Sequence, residues 1–136
     1  MNTKNNFLTY LLYTKITLTV SLWALPLLLF PDSMFQFLGL PLITPEYYRR
    51  LLGMAYLALV AGYIDALISV RKGIFPEGIV IMGIISNAGA SAILAFYGFV
   101  LGAFSGLTLI GGALLVFSTF ATGVIAVLLA REFLKR

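Results

Sequence analysis

Asp65 and Lys15 are the residues whose type and setting point most directly to chemistry. Asp65 is the one carboxylate inside the apolar run 51–70, and Lys15 interrupts the apolar run 10–30. Ionisable groups in such surroundings are costly, and they persist where they pair, bind or relay protons. Lys15 lies 15 residues inward from Phe30, and Asp65 lies 14 residues inward from Leu51. At the helical rise those depths are roughly 22 and 21 Å from the same surface. A Lys15–Asp65 pair is therefore geometrically allowed. One reading makes it a binding or proton-relay site. The other makes it an ion pair that sets helix register, or two side chains that each snorkel to the headgroups.

Three further polar residues join them as binding candidates: Asn87, Thr19 and Tyr63. Asn87 lies near mid-membrane, roughly 14 Å from the start of its run. It shares a face with Gly83, Ala90, Ser91 and Gly98. It reads either as an interhelical hydrogen bond worth about 0.6–2 kcal/mol or as a ligand contact. Asp65 shares its face with Ala58, Ala61, Gly62 and Ser69 at helical spacing. Small residues let membrane helices approach closely, which predicts that this face points inward. Tyr56 and Tyr63 lie on nearly the opposite face, toward lipid or a partner subunit. In the first run, Tyr10, Thr14, Thr17 and Ser21 form one polar stripe, with Lys15 and Thr19 well around from it. Both sets cannot face the same neighbour, so one meets headgroups or a cavity.

What the chain lacks narrows its chemistry further. It has no cysteine and no histidine. Thiol chemistry, thiolate metal sites, imidazole ligation and histidine acid–base catalysis are excluded. No phosphate-cradling glycine loop, paired intramembrane carboxylates or nucleophile–base motif occurs. No catalytic residue, metal or cofactor is assigned, and an enzyme is the less favoured class. The net charge of +4 is read as a topology signal and not as a nucleic-acid footprint.

The elements that must position these residues follow from composition. The chain is 61% hydrophobic and 10% charged, with a mean hydropathy of +1.04, against roughly 25% charge in soluble domains. A helical span needs about 20 apolar residues. Four such runs occur, at about 10–30, 51–70, 78–100 and 107–130. They are continuous where a barrel would alternate. The expectation is an all-α fold, one integral membrane domain over residues 1–136 built as a bundle of four transmembrane helices. The polar, asparagine-rich residues 1–9 precede a run with no small-residue cleavage site, so a retained first helix is expected.

Seven cations (Lys4, Lys15, Arg71, Lys72, Arg131, Lys135 and Arg136) fall on one side and two (Arg49 and Arg50) on the other. Positive charge marks the inner side, so both termini are expected in the cytoplasm. The expected location is the cytoplasmic membrane of a bacterium or an archaeon. The first loop, 31–50, reads as a short apolar turn or interfacial helix between Pro31, Pro41 and Pro45. It is followed by Tyr47-Tyr48-Arg49-Arg50 at headgroup level. The loop 101–106 reads as a tight hairpin. Pro26 is expected to kink the first helix. Two small-x-x-x-small patterns, Ser118/Thr122/Ala126/Ala130 and Gly98/Gly102, predict close helix contacts.

The stretch Phe30-Pro31-Asp32 through Phe37-Leu38-Gly39-Leu40-Pro41, then Arg50-Leu51-Leu52-Gly53, resembles the DoxX-like group of four-helix membrane proteins. The resemblance covers roughly the first half of the chain. It implies a four-helix bundle, often an accessory subunit near membrane redox systems. The favoured function is a non-catalytic membrane protein that binds a lipid-soluble molecule or supports a membrane complex, as a homodimer or with a partner subunit. A small transporter or proton-coupled carrier would need a polar path through Asp65, Asn87 and Thr19. A lipid-modifying enzyme would need a second polar group positioned beside Asp65 in a cavity.

Overall fold

The computed structural model describes residues 3–136, with side chains from Asn6 onward. Met1, Asn2 and the Lys4 side chain, which the sequence reading counted in the polar leader and the charge bias, lie outside the described residues. The described chain is helical throughout and without strands. Its elements are α1 (Thr3–Thr19), a π-helical turn (Val20–Ala24), α2 (Leu25–Leu29), α3 (Asp32–Leu38), α4 (Glu46–Arg71), α5 (Glu77–Ala95), a second π-helical turn (Phe96–Val100) and α6 (Leu109–Leu134). Four stretches are long and apolar enough to cross a membrane: Asn6–Leu29, Glu46–Arg71, Glu77–Val100 and Leu109–Leu134. Helices satisfy their own backbone groups, which is what a lipid solvent demands of apolar sequence.

Local sequence explains where the helices begin and end. α3 starts after Pro31 with Asp32 in its first turn, and it stops at Gly39, whose φ of 68° only glycine adopts freely. α4 follows Pro45 directly and carries Glu46 at its start and Arg71 at its end, both matched to the helix dipole. Thr108 caps α6 by accepting the Gly111 N–H at 3.2 Å. The π-helical turn in the first span ends just before Pro26, and Leu25 N–H reaches back five residues to the Val20 carbonyl. The widened turn thus precedes the one residue of that segment with no N–H to give.

The two ends of the bundle are held differently. At one end the first turns of α1 meet the end of α6: the Lys135 ammonium lies 5.9 Å from the Phe7 ring, and Arg136 pairs with Glu77. The continuous apolar core is confined to this half. It joins Leu8, Leu11 and Leu12 of α1 to Tyr63, Leu67 and Val70 of α4, Val80 of α5 and Leu129 of α6. At the other end, α3 folds back as a corner. Thr108 donates its hydroxyl to the Leu38 carbonyl at 3.0 Å, tying that corner to the start of α6. Gly111 allows this approach, because a Cβ there would sit 2.7 Å from the Gly39 carbonyl oxygen.

Two sequence expectations at the loops are corrected. α4 begins at Glu46, so Arg49 and Arg50 are helical and not loop residues. Arg49 is 1% exposed. It donates to Asp32 at 2.6 Å and to Glu46 at 3.2 Å, and its guanidinium stacks 4.6 Å from the Phe35 ring. These partners supply the charge compensation that headgroups would otherwise provide. The Gly98/Gly102 pattern does not make a helix–helix contact. Gly98 leaves room for the Phe104 ring of the following loop, and Gly102 (φ 71°) lies past the helix end in the turn. By contrast, Ser118 and Ala126 of the α6 small-residue stripe are buried. Where α5 meets α6, Ser91 donates to the Thr119 carbonyl at 2.9 Å.

Candidate functional site

Inside the bundle, three spans bring polar side chains together. Lys15 of α1 donates to the Asn87 amide oxygen of α5 at 2.6 Å. The Asn87 amide nitrogen donates to the Gly83 carbonyl of its own helix at 2.6 Å and, at 3.4 Å, to the Tyr63 hydroxyl of α4. Tyr63 in turn lies 3.5 Å from the Ser86 hydroxyl, and the Lys15 ammonium sits 5.8 Å from the Tyr63 ring centroid. Tyr63 is fully buried and Asn87 is 1% exposed. Gly83 makes the arrangement fit, since a Cβ there would lie 2.8 Å from Leu129 and 3.3 Å from the Tyr63 ring.

Of the five sequence candidates, the structure brings Lys15, Asn87 and Tyr63 into this one network. Thr19 is one helical turn beyond Lys15, 1% exposed, and its hydroxyl has no hydrogen-bond partner. Asp65 is not in the site. It is exposed on the outer face of α4, and among the described residues no ion pair joins it to Lys15. The expectation that the small-residue face of α4 points inward holds only in part: Gly62 faces Ile79 and Met82 of α5 and Ser69 is half-buried, but Asp65 itself points out. Val60, Tyr63, Leu67 and Val70, at three- and four-residue spacing, form the inward face. Ala58 and Ala61 are exposed with Asp65. Of the two tyrosines expected to face lipid or a partner subunit, Tyr63 is instead in the core, while Tyr56 is half-buried and stacks on Trp23 at 5.7 Å. The polar stripe Tyr10, Thr14, Thr17 and Ser21 is the exposed set of the first span.

Beyond this network, toward the α3 corner, lies an apolar pocket of about 360 Å³. Its walls come from the first span (Trp23, Pro26, Leu27, Phe30), α3 (Phe35, Leu38), α5 (Leu94) and α6 (Leu114, Leu115, Ser118), and the loop residues Leu40, Pro41 and Ile43 close it. The second span contributes no wall. Volume and lining match those of small-molecule sites, which are concave and mostly apolar. A narrow fissure of about 20 Å³ lies alongside, lined by Lys15, Thr19, Ser118 and Thr122, and it shares Leu22, Trp23 and Ser118 with the pocket.

Sequence reasoning named none of these residues as pocket walls, because those of the spans read as ordinary apolar helix and those of the first loop as an apolar turn between prolines. One signal was present: Trp23 is the single tryptophan and falls one turn beyond Thr19. Arg49 was also missed as a structural residue. Its partner Asp32 comes from the far side of a loop, which residue spacing does not show. Comparison with known proteins found no match to this chain among family models, curated proteins or solved structures.

Proposed function

We propose that this chain is a non-catalytic, multi-pass membrane protein that holds a lipid-soluble molecule in the pocket between the first, third and fourth spans and the α3 corner. The pocket itself carries this reading: about 360 Å³ of apolar space, roofed by a corner pinned through Thr108–Leu38 and Arg49–Asp32. The residues behind the DoxX-like resemblance lend support, because Phe30, Leu38, Leu40 and Pro41 are pocket walls. Gly53 is where the first span closes on α4, a Cβ there lying 2.8 Å from Leu28. In this reading the termini face the cytoplasm, following the bias of seven cations to two.

The competing classes have less support. A proton path through Asp65, Asn87 and Thr19 would have to cross α4, because Asp65 lies on its outer face. An enzyme would need an acid–base pair at Lys15, whose neighbours are an amide, a phenol and hydroxyls.

The test is mass spectrometry of what copurifies in mild detergent, for the wild type and for Leu114→Phe. A retained apolar molecule lost in the variant supports the reading. Equal retention by both proteins, or none by either, overturns it.

A further inference from the structure

We propose that Lys15 and Thr19 form the headgroup end of this pocket, and that its ligand is a long-chain amphiphile bearing a carboxylate. This rests on the pocket reading above and names its ligand class.

The Lys15 ammonium has three donor hydrogens, and Asn87 accepts one. The groups packed around it are Tyr63 of α4, Asn87 of α5, and Ser118 and Thr122 of α6 across the fissure, none of them acidic. A cation within a span calls for a compensating anion. Among the described residues none supplies it. Thr19 adds the second, independent observation: a hydroxyl in a residue 1% exposed, without a hydrogen-bond partner, in a residue lining the same fissure. An ammonium and a hydroxyl one turn apart on a helix suit the two oxygens of a carboxylate. The fissure's size sets a limit on the headgroup. The fissure is small, about 20 Å³, which favours a compact headgroup over a sugar or a choline ester. The fissure and the pocket are adjacent, with Leu22, Trp23 and Ser118 lining both; in this proposal one molecule places its head at Lys15 and its chain against Trp23.

Trp23, the only tryptophan, reports directly on the chain. The purified protein in mild detergent is titrated with a chain-brominated fatty acid and with the matching brominated alcohol, at a pH where the acid is ionised. The acid is expected to quench Trp23 at about tenfold lower mole fraction than the alcohol, the size of one charge-assisted bond gained. Lys15→Met is expected to abolish this preference, and Thr19→Val to reduce it in part. Equal quenching of the wild type by acid and alcohol overturns the carboxylate inference, and leaves the pocket intact where Leu114→Phe relieves the quenching. Quenching by neither, or equal quenching by both that Leu114→Phe leaves unchanged, overturns the pocket reading as well. The wild-type comparison of acid with alcohol needs no variant, so it decides the matter even where Lys15→Met fails to fold.

Discussion

Lys15 of the first span and Asn87 of the third are joined at 2.6 Å, ammonium to amide oxygen. The amide cannot turn away. Its nitrogen is held by the Gly83 carbonyl at 2.6 Å, so the oxygen faces the cation. A single asparagine thus fixes the rotation of α5 against α1 and determines where the buried charge sits.

Asn87→Leu removes the ammonium's hydrogen-bond acceptor. The cost is about 2–3 kcal/mol, the range for a bond to a charged group left unmade. Lys15→Met is expected to cost about 1 kcal/mol, near the mean for hydrogen bonds between membrane helices. The double variant should be more stable than Asn87→Leu alone, because no unpartnered cation remains. Unfolding in mixed detergent measures all three, and strict additivity would contradict the pairing.

Asp65 faces outward without an ion-pair partner among the described residues. Asp65→Asn is expected to change stability by less than about 0.5 kcal/mol, as for surface substitutions elsewhere. A loss of several kcal/mol in the same assay would show that Asp65 is held by a partner after all.

Gly111 and Gly112 are adjacent but differently placed. A Cβ at Gly111 meets the Gly39 and Leu38 carbonyl oxygens at 2.7 and 2.8 Å, whereas at Gly112 the nearest atom is 4.0 Å away. Gly111→Ala is expected to cost about 1–3 kcal/mol by overpacking against backbone. Gly112→Ala should be neutral or stabilising by up to about 1 kcal/mol, because alanine orders the helix better. Similar thermal shifts for both would refute the close approach of α3 to α6.

Arg49 reaches Asp32 and Glu46 at once and stacks on Phe35. Lysine lacks the planar fork that spans both carboxylates while stacking on the ring. Arg49→Lys is expected to lose about 1–2 kcal/mol, the scale of one charge-assisted bond. It should also shift Trp23 emission to the red as the α3 corner loosens over the pocket. Unchanged emission together with unchanged stability would mean that the corner does not depend on Arg49.

The absence of native cysteine makes topology directly testable. Ser33→Cys on α3 and Lys135→Cys at the terminal end are at opposite ends of the bundle. A membrane-impermeant maleimide is expected to label Cys at 33 in intact cells and at 135 only after permeabilisation, as the positive-inside rule requires. The reverse pattern would invert the orientation.

The segment between Pro31 and Pro41 read as a turn or a short helix until the structure made it a helix, whereas four long apolar helices and the lack of cysteine or histidine chemistry followed from residue type and run length alone. That is because apolar length and proline placement act locally, on the helix that carries them. The burial of Lys15 and Thr19 away from the Tyr10/Thr14/Thr17/Ser21 stripe was half legible, since spacing separated the two sets without saying which faced inward. Tertiary structure alone decided the rest: that Tyr63 and not Asp65 lies inside, that Asn87 is the partner of Lys15, and that a pocket opens beneath α3. In lipid, apolar side chains suit the outside of a bundle as well as its interior, so hydrophobic periodicity does not identify the buried face. Rotation of each rigid helix about its axis is then set by a few polar contacts between spans, which residue spacing along one helix does not encode.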